Sequence, residues 1–301
     1  MVWEVKTANE FMRTKLVTLT PKTPVMDGVA KLFRDNISGA PVTEAGANYL
    51  GVFSEKCCMN ALDDAVERSS QSRLHIPTVD EFMVSSLITL TPKIDVFEAI
   101  DQILARHISG APVLNDQGEF LGIFSEKTAM RVLIAAAYDQ LPGTSVDAYM
   151  NTDDRRIIHK NDTLLEIAHK FQQTPYRRLP VLENKKLIGQ VSRRDVIKCE
   201  HQLATELTDN MTEQKFVDDY MDRNARTVTT SDDLLNIAQI FLSTPYRRLP
   251  VVESGRLLGQ ISRRDLLAAA ADILRPKAKA RRGAETLYLS PLNDTAPPSW
   301  S

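Results

Sequence analysis

The sequence has few of the features that identify whole classes of protein. Among its 301 residues are only three cysteines, Cys57, Cys58 and Cys199, and two of these are adjacent. This set is too small for the disulfide framework of a small secreted domain, and it favours a reducing compartment. The first residues also lack the basic and apolar stretches of a secretory leader. We therefore expect a cytoplasmic protein.

Long apolar runs and a large net charge are absent as well. The longest apolar run, residues 132–138, is far shorter than the roughly 20 residues that a membrane-spanning helix needs. The formal net charge of −2 gives no support for binding nucleic acid or membranes through the charge of the whole protein. We therefore expect no membrane span, and nucleic acid is an unfavoured partner.

No motif of a known catalytic class is present. The sequence has no P-loop, no dinucleotide fingerprint G-x-G-x-x-G and no nucleophile elbow. No paired carboxylates indicate acid–base catalysis. Four histidines, His107, His159, His169 and His201, do not fall at metal-ligand spacings with the cysteines. The sequence therefore predicts a protein that is not an enzyme and has no metal site.

What the sequence does contain is a fourfold internal repeat. Residues 174–195 return almost unchanged as residues 244–265, and the letters TPYRRLPV are identical in both. Two further copies begin with ISGAPV, at Ile37 and at Ile108. One proline and one glycine align in all copies: Pro41, Pro112, Pro180 and Pro250, and Gly51, Gly122, Gly189 and Gly259. Such repetition indicates a chain built from four similar units.

Each unit shows the same order of local patterns. A short strand such as residues 16–21 precedes an amphipathic helix, and two apolar strands joined by a turn follow, before a second helix. The sequence thus predicts an α/β (α+β) chain of four β-α-β-β-α repeats. The aligned glycines indicate either a bulge or tight start of the second strand, or the close approach of a ligand.

This order of elements resembles the CBS domain family over residues 9–274. The resemblance rests on the hydrophobic-Pro-Val strand, the glycine-bearing second strand and the S-x-x-D start of the last helix. It implies that units pair through their sheets into modules, called Bateman modules, with two clefts each. We expect repeats at residues 1–68, 77–141, 145–207 and 215–275, paired as modules of about residues 1–140 and 145–275. Residues 276–301 are expected to form a flexible tail or a segment that binds a partner.

The S-x-x-D motifs carry the most chemistry in the chain. Ser192 and Asp195 open the last helix of the third unit, and Ser262 and Asp265 that of the fourth. This spacing is typical of a capping box, which needs no ligand. However, a helix N-terminus also favours anions, and each motif lies near two arginine pairs, whose guanidinium groups suit phosphate oxygens. On the residues alone, both readings stay open.

The resemblance implies adenine nucleotides as the ligand. In CBS domains that bind them, the aspartate accepts hydrogen bonds from the ribose, the serine meets phosphate, and the hydrophobic-Pro-Val strand encloses the base with an apolar residue of the leading strand. Carried over by position, the expected nucleotide-binding residues of the third unit are Ile158, Tyr176, Arg177, Arg178, Leu179, Pro180, Ser192, Arg193, Arg194 and Asp195. Those of the fourth unit are Val228, Tyr246, Arg247, Arg248, Leu249, Pro250, Ser262, Arg263, Arg264 and Asp265.

The first two units depart from this pattern. Cys57 and Thr128 stand at the aspartate positions, and only Lys56 and Lys127 stand where the other units have arginine pairs. A thiol cannot replace a carboxylate that accepts two hydrogen bonds, and a threonine replaces it less well. We therefore expect the first two units to lack good nucleotide sites and to serve as a scaffold or a dimerisation half, or to bind a different ligand.

Two function classes follow from these patterns. The first is a non-enzymatic regulatory sensor that binds AMP, ADP or ATP in the clefts of residues 145–275 and signals to a separate protein chain by a conformational shift. A homodimer through the modules is compatible with it. S-adenosylmethionine is the alternative ligand, but it has no phosphate for the arginines. The second class is a structural or interaction protein, in which the motifs are caps and the arginines form an exposed basic patch for an acidic protein or RNA.

Overall fold

The computed structural model of the protein describes residue 7 and residues 12–71, 75–137, 145–207 and 216–271. The tail predicted at residues 276–301 lies outside the described residues. No helix within the described ranges is both long and apolar enough to cross a membrane.

The described residues form four units that share one order of elements. Unit 1 contains α1 (Val25–Arg34), β1 (Gly39–Glu44), β2 (Asn48–Ser54) and α2 (Glu55–Gln71), and unit 2 contains α3 (Val79–Phe82), α4 (Val96–Ala105), β3 (Gly110–Leu114), β4 (Phe120–Ser125) and α5 (Glu126–Ala137). Unit 3 contains α6 (Leu164–Gln173), β5 (Arg178–Glu183), β6 (Lys186–Ser192) and α7 (Arg193–Leu207). Unit 4 contains α8 (Val217–Tyr220), α9 (Leu234–Ser243), β7 (Arg248–Glu253), β8 (Arg256–Ser262) and α10 (residues 263–271). Three single turns of 3-10 helix are Ala45–Ala47, Val146–Ala148 and Asp154–Arg156.

The leading strand of each unit is shorter than the sequence suggests. It is reduced to one parallel bridge onto the unit's own hairpin: Leu19 with Val42, Leu90 with Val113, Ile158 with Val181, and Val228 with Val251. With this difference, the predicted α/β (α+β) fold of four β-α-β-β-α units is confirmed.

Short polar side chains fix where the first helix of most units begins. The Thr163 hydroxyl accepts from the Glu166 amide at 3.4 Å, and the Glu166 carboxylate accepts from the Thr163 amide at 2.7 Å. Asp95 and Asp233 accept from backbone amides in the same way in units 2 and 4. Each such cap satisfies amides that have no partner inside the helix and contributes roughly 1 kcal/mol.

The aligned glycines allow another segment of the chain to lie against each hairpin. A Cβ atom at Gly51 would lie 2.6 Å from the carbonyl oxygen of Asp222, and one at Gly122 would lie 2.7 Å from that of Asn151. Gly51 also lies opposite Val42, where the β1–β2 register shifts. The predicted bulge is therefore present, and what approaches the glycines is another segment of the same chain: backbone at Gly51 and Gly122, and first a methionine side chain at Gly189 and Gly259.

The approaching segments are the leads, which are the extended residues that precede each unit. The lead of unit 1 pairs with unit 4, where Arg13 and Gln260 exchange backbone hydrogen bonds of 2.9 and 3.0 Å. In turn, the lead of unit 4 pairs with unit 1, where Asp222 and Val52 exchange backbone hydrogen bonds. Units 2 and 3 exchange leads in the same way, through Val84 with Gln190 and Asn151 with Ile123. The hairpins of units 1 and 4 also share one sheet, in the order β1-β2-β8-β7.

This pairing corrects the expectation that residues 1–140 and residues 145–275 form the two modules. Units 1 and 4 form one module, here the outer module, and units 2 and 3 form the other, the inner module. The leads all end in the same kind of apolar residue, namely Met12, Met83, Met150 and Met221. Because they are alike, the sequence does not specify which hairpin each lead joins.

Helices connect the two modules. The last helices of units 1 and 3, α2 and α7, pack along each other, and the apolar side chains of these units form one buried cluster. Units 2 and 4 share the second cluster. Each unit contributes one fully buried phenylalanine to these clusters: Phe53, Phe124, Phe171 and Phe241. Sheet contacts and helix contacts thus alternate around a closed ring of four units.

Candidate functional site

The S-x-x-D motifs have the geometry of reciprocal helix caps. The Asp195 carboxylate accepts from the Ser192 amide and hydroxyl, both at 2.7 Å, and the Asp195 amide donates to the Ser192 hydroxyl at 3.4 Å. Ser262 and Asp265 repeat these contacts. The other oxygen of Asp265 is bound by Arg13, at 2.8 and 3.1 Å. No contact of this kind is present for Asp195 among the described residues, so the two aspartates are not equivalent.

Four of the eight paired arginines donate to backbone carbonyls at or just past helix ends. Arg193 donates to the carbonyls of Phe171 and Thr174 at 3.0 and 2.9 Å, which closes the C-terminus of α6 in its own unit. Arg263 does the same for α9. Arg194 and Arg264 instead reach across to the other module, where they donate to the carbonyls of residues 37 and 108, each at 2.6 Å. Arg193 and Arg263 thus satisfy carbonyl oxygens that a helix end leaves free, whereas residues 37 and 108 lie three positions past the ends of α1 and α4.

The other four arginines converge at the centre of the ring. Arg177 donates to Glu55 and Arg178 to the hydroxyl of Ser109. In the fourth unit, Arg247 donates to Glu126 at 3.1 Å and Arg248 to the hydroxyl of Ser38. Together with Arg194 and Arg264 they line a central cavity of about 260 Å³. Among the described residues that line that cavity, one is acidic, namely Glu55.

Two larger clefts open from this centre, one in each module. The inner cleft, of about 390 Å³, lies between residues 176–178 of unit 3 and the turn at residues 125–128 of unit 2. The outer cleft, of about 360 Å³, lies between residues 246–248 of unit 4 and residues 54–56 of unit 1. Arg177 and Arg247 line both clefts and the central cavity. The three spaces therefore share one pair of guanidinium groups.

Positive charge predominates in both clefts. The cationic residues of the inner cleft are Lys127, Arg131, Arg155, Arg156, Arg177, Arg178, Arg247 and Arg263, against Glu126 and Asp153. Those of the outer cleft are Lys56, Arg177, Arg193, Arg247 and Arg248, against Glu55 and Asp222. Such a surplus in a partly enclosed space favours a multiply charged anion.

Burial and mutual repulsion act on these cations. Burial lowers the pKa of Arg177 to about 9; neighbouring guanidinium groups act in the same direction, and Glu55 opposes them. Burial first, and Arg247 second, also lower the pKa values of Arg178 and Arg248. A bound anion would offset both effects, because it supplies the opposite charge where solvent is excluded.

Each cleft also contains one tyrosine of the repeated TPYRRLPV strand. The Tyr176 hydroxyl donates to Asp153, and the guanidinium of Arg156 lies 4.6 Å from the centre of the tyrosine ring. Burial, followed by the charge of Asp222, raises the pKa of Tyr246 in the outer cleft. The clefts thus combine cationic walls with one aromatic ring each.

The structure places the predicted arginine-bearing strands of units 3 and 4 against the turns of units 2 and 1. Tyr176, Arg177 and Arg178 face the Ser125 turn of unit 2, and their equivalents in unit 4 face the Ser54 turn of unit 1. Asp195 and Asp265 line neither cleft. The crossed leads thus place the turns of the first two units, which were expected to lack good nucleotide sites of their own, against the arginine-bearing strands.

Several expected site residues lie in the cores instead. Ile158, Leu179 and Leu249 have no exposed surface, and Val228 is almost fully buried. Pro180 and Pro250 are buried in their strands. The residues that sequence reasoning missed are Glu55, Glu126, Asp153 and Arg156. The only signal for the two glutamates is that they occupy, in units 1 and 2, the place that Arg193 and Arg263 occupy in units 3 and 4.

Comparisons with known proteins agree with the repeat structure. A family model described as CBS domain matches residues 8–64, 79–135, 146–201 and 217–272. The chain is 27% identical over 270 residues to the protein MJ1225 of Methanocaldococcus jannaschii, over 84% of this chain and 94% of that protein. It is 28% identical over 211 residues to CBSX1, a chloroplastic CBS domain-containing protein of Arabidopsis thaliana, over 69% of this chain and 70% of that protein.

Solved structures with the same kind of unit also match. The crystal structure of MJ1225 from Methanocaldococcus jannaschii gives a TM-score of 0.39 at 23% identity, over 87% of this chain and 99% of that chain. The crystal structure of CBSX2 in complex with AMP gives 0.38 at 25% identity, over 42% of this chain and 98% of that chain; CBSX2 is a chloroplastic protein of Arabidopsis thaliana.

Proposed function

The chain belongs to the CBS domain family, and from that premise we propose that it is a non-catalytic regulatory protein that binds adenine nucleotides. AMP, ADP or ATP occupies the inner and outer clefts, and its phosphates point to the central arginines. A separate protein chain reads the resulting change in the ring.

The observation that carries this proposal is the convergence of Arg177, Arg178, Arg247 and Arg248 on one space that both clefts share. Of these, Arg178 and Arg248 have serine hydroxyls as partners and form no ion pair among the described residues. A buried guanidinium without a counter-ion is costly, so an anionic group at this position stabilises it.

The remaining walls fit the other parts of a nucleotide. The rings of Tyr176 and Tyr246 offer flat faces on which a base can stack, an interaction of roughly 1–3 kcal/mol per base. The hydroxyls of Ser125 and Thr128 in the inner cleft, 3.1 Å apart, can bond to ribose or phosphate oxygens. Asp195 and Asp265 line neither cleft, so these hydroxyls, and not the S-x-x-D aspartates, are the candidates for the ribose contact.

Two alternatives are disfavoured by the same geometry. S-adenosylmethionine carries a positive sulfonium and no phosphate, so it adds a cation to clefts that already have a surplus of cations. An exposed basic patch for RNA requires outward-facing arginines, whereas the side chains of Arg177 and Arg247 are only 26% and 25% exposed. The S-x-x-D turns do act as caps, which is compatible with a ligand bound elsewhere.

Binding between units is the basis of the proposed signal. A ligand in either cleft touches two units of one module and, through Arg177 and Arg247, the other module as well. If a partner protein prefers the ligand-bound ring, then by linkage it also tightens ligand binding by the same factor.

The proposal is tested by thermal unfolding with AMP, ADP, ATP, GTP and S-adenosylmethionine. A ligand at 100 times its dissociation constant stabilises the folded state by about 2.7 kcal/mol. We expect an adenine nucleotide to stabilise the wild type and the variant Arg178→Met/Arg248→Met to lose most of that response. The control Arg34→Met/Arg256→Met removes two exposed arginines and should respond like the wild type. A wild type that none of these ligands stabilises, or an Arg178→Met/Arg248→Met variant with a full response, contradicts the proposal.

A further inference from the structure

Two acidic residues are buried among the cations of the clefts. Glu55 and Glu126 are the first residues of α2 and α5, and they are only 7% and 3% exposed. Each follows the serine of its turn, at the position that an arginine occupies in units 3 and 4. Their burial among cations shows that they act as counter-ions inside the ring.

Each glutamate binds an arginine of the other module. Glu55, in the outer module, accepts from Arg177 in the inner module. Glu126, in the inner module, accepts from Arg247 at 3.1 Å and from Arg264 at 3.2 Å, both in the outer module. The ion pairs therefore connect the two modules across the centre, whereas the serine contacts of Arg178 and Arg248 stay within one module.

The arginines that the glutamates hold are the ones that both clefts share. Arg177 and Arg247 line the inner cleft, the outer cleft and the central cavity. Glu126 lines the inner cleft and Glu55 the outer cleft. A phosphate that enters either cleft thus meets a guanidinium group already occupied by a carboxylate.

We infer that Glu55 and Glu126 are internal competitors of the ligand's phosphate groups, and that their displacement loosens the contact between the modules. The inference rests on the proposed function. Phosphate and carboxylate are both oxyanions that bind guanidinium in the same bidentate manner, so they compete for the same donors. When phosphate takes Arg177, the buried Glu55 loses its counter-ion and is driven from the centre; when phosphate takes Arg247, Glu126 keeps only Arg264 as a partner.

The exchange would give the ring two states. Without ligand, three cross-module ion pairs close the centre; with ligand, the phosphates neutralise the arginines and the glutamate-bearing ends of α2 and α5 are released. A ligand with too little negative charge cannot replace the carboxylates. The two glutamates therefore set how much negative charge a ligand needs in order to bind, and their release signals that a ligand is bound.

The test compares Glu55→Gln, Glu126→Gln and the double variant with the wild type, with ATP and inorganic tripolyphosphate as probes in isothermal titration calorimetry. Glutamine keeps the shape of the side chain and removes the competing charge. We expect the double variant to bind both probes at least about tenfold more tightly, while the control Glu44→Gln, which removes an exposed charge from unit 1, stays within about twofold of the wild type.

Hydrogen exchange of the wild type gives a second readout that needs no variant. Saturating ATP should raise the exchange of amides in the first turns of α2 and α5, and the ligand-free double variant should already show the raised rate. Equal or weaker binding by the double variant, or no change in exchange on binding, overturns the inference while the proposed function stands. Absence of binding by the wild type and by every variant overturns the proposed function as well.

Discussion

Replacement of Glu200 by methionine should make the protein more stable and should reduce the dependence of its stability on pH. Glu200 lies on α7, which packs against α2 of unit 1, and it has no exposed surface. Neither of its carboxyl oxygens has a hydrogen-bond partner among the described residues. Burial, followed by the charge of Asp63 on α2, raises the pKa of Glu200 well above its ordinary value. The thiols of Cys58 and Cys199 are further titratable neighbours of Glu200.

The direction of the pH effect follows from the raised pKa of Glu200. An unfolded glutamate has a pKa of about 4.3, so below that pH the residue is protonated in both states and does not oppose folding. As the pH rises from there toward the higher pKa of the folded state, the unfolded chain loses its proton first, and stability falls by about 1.36 kcal/mol per pH unit. The wild type should therefore be more stable near pH 4 than at neutral pH, as far as this residue is concerned.

Two variants separate the effect of the charge of Glu200 on stability from the effect of its unsatisfied polar atoms. Glu200→Gln removes the charge but leaves a buried polar group, so it should differ little from the wild type at pH 4 and should gain stability relative to it as the pH rises. Glu200→Met also removes the unsatisfied polar atoms, each of which costs roughly 1–3 kcal/mol, and fills a similar volume. We expect Glu200→Met to gain about 1–3 kcal/mol at pH 4 and more at pH 8.

Urea unfolding at both pH values and constant ionic strength measures these differences, provided that the dependence on urea concentration is unchanged. The control is Glu206→Met, an exposed position on the same helix, which should stay within about 0.5 kcal/mol. If Glu200→Met were destabilised at both pH values, the carboxyl group would have a stabilising partner, and the reasoning from its unpaired oxygens would be wrong.

Two further comparisons test the crossed leads and the helix-end arginines. Gly51→Ala should lower the free energy of unfolding by about 1–3 kcal/mol, because its Cβ would lie 2.6 Å from the backbone oxygen of Asp222. Gly189→Ala should lower it by less, because there the Cβ meets a flexible methionine side chain at the same distance. Urea unfolding of both variants measures the difference. Arg193→Met should lower the free energy of unfolding by about 1.5–3 kcal/mol, since it removes two charged hydrogen bonds to carbonyls at the end of α6. Arg13→Met removes an exposed arginine and should change that free energy by at most about 1 kcal/mol. Equal changes in the two variants would contradict the assigned roles.

The sequence predicts most of what is local in this fold. The four units, their hairpins and the capped helix starts follow from alternating apolar residues, turn residues and short polar caps, all of which act over a few positions. Ser192 and Asp195 form the cap that their spacing predicts. Even the glycines could be assigned a close approach, because a missing Cβ has few other uses in a strand.

The sequence does not predict what depends on contacts between units. The arginines in each TPYRRLPV strand are adjacent, yet Arg177 and Arg178 contact different units. Ile158 was expected to lie opposite a base, but it forms a parallel bridge with Val181 and its side chain is buried in the core. Glu55 reads as an ordinary first-turn acid, and only the neighbouring module gives it a binding partner. Each of these outcomes is decided by which unit lies next to which.

The crossed leads have a consequence for how the chain folds as it is synthesised. The first unit has its sheet partner at the far end of the chain: Arg13 and Asp265, which are in contact, are 252 positions apart. At a translation rate of about 5–20 residues per second, unit 1 waits on the order of 10–50 s for that partner to leave the ribosome. Units 2 and 3, which are consecutive, can pair in the meantime. The inner module is then complete first, and the outer module closes around it last.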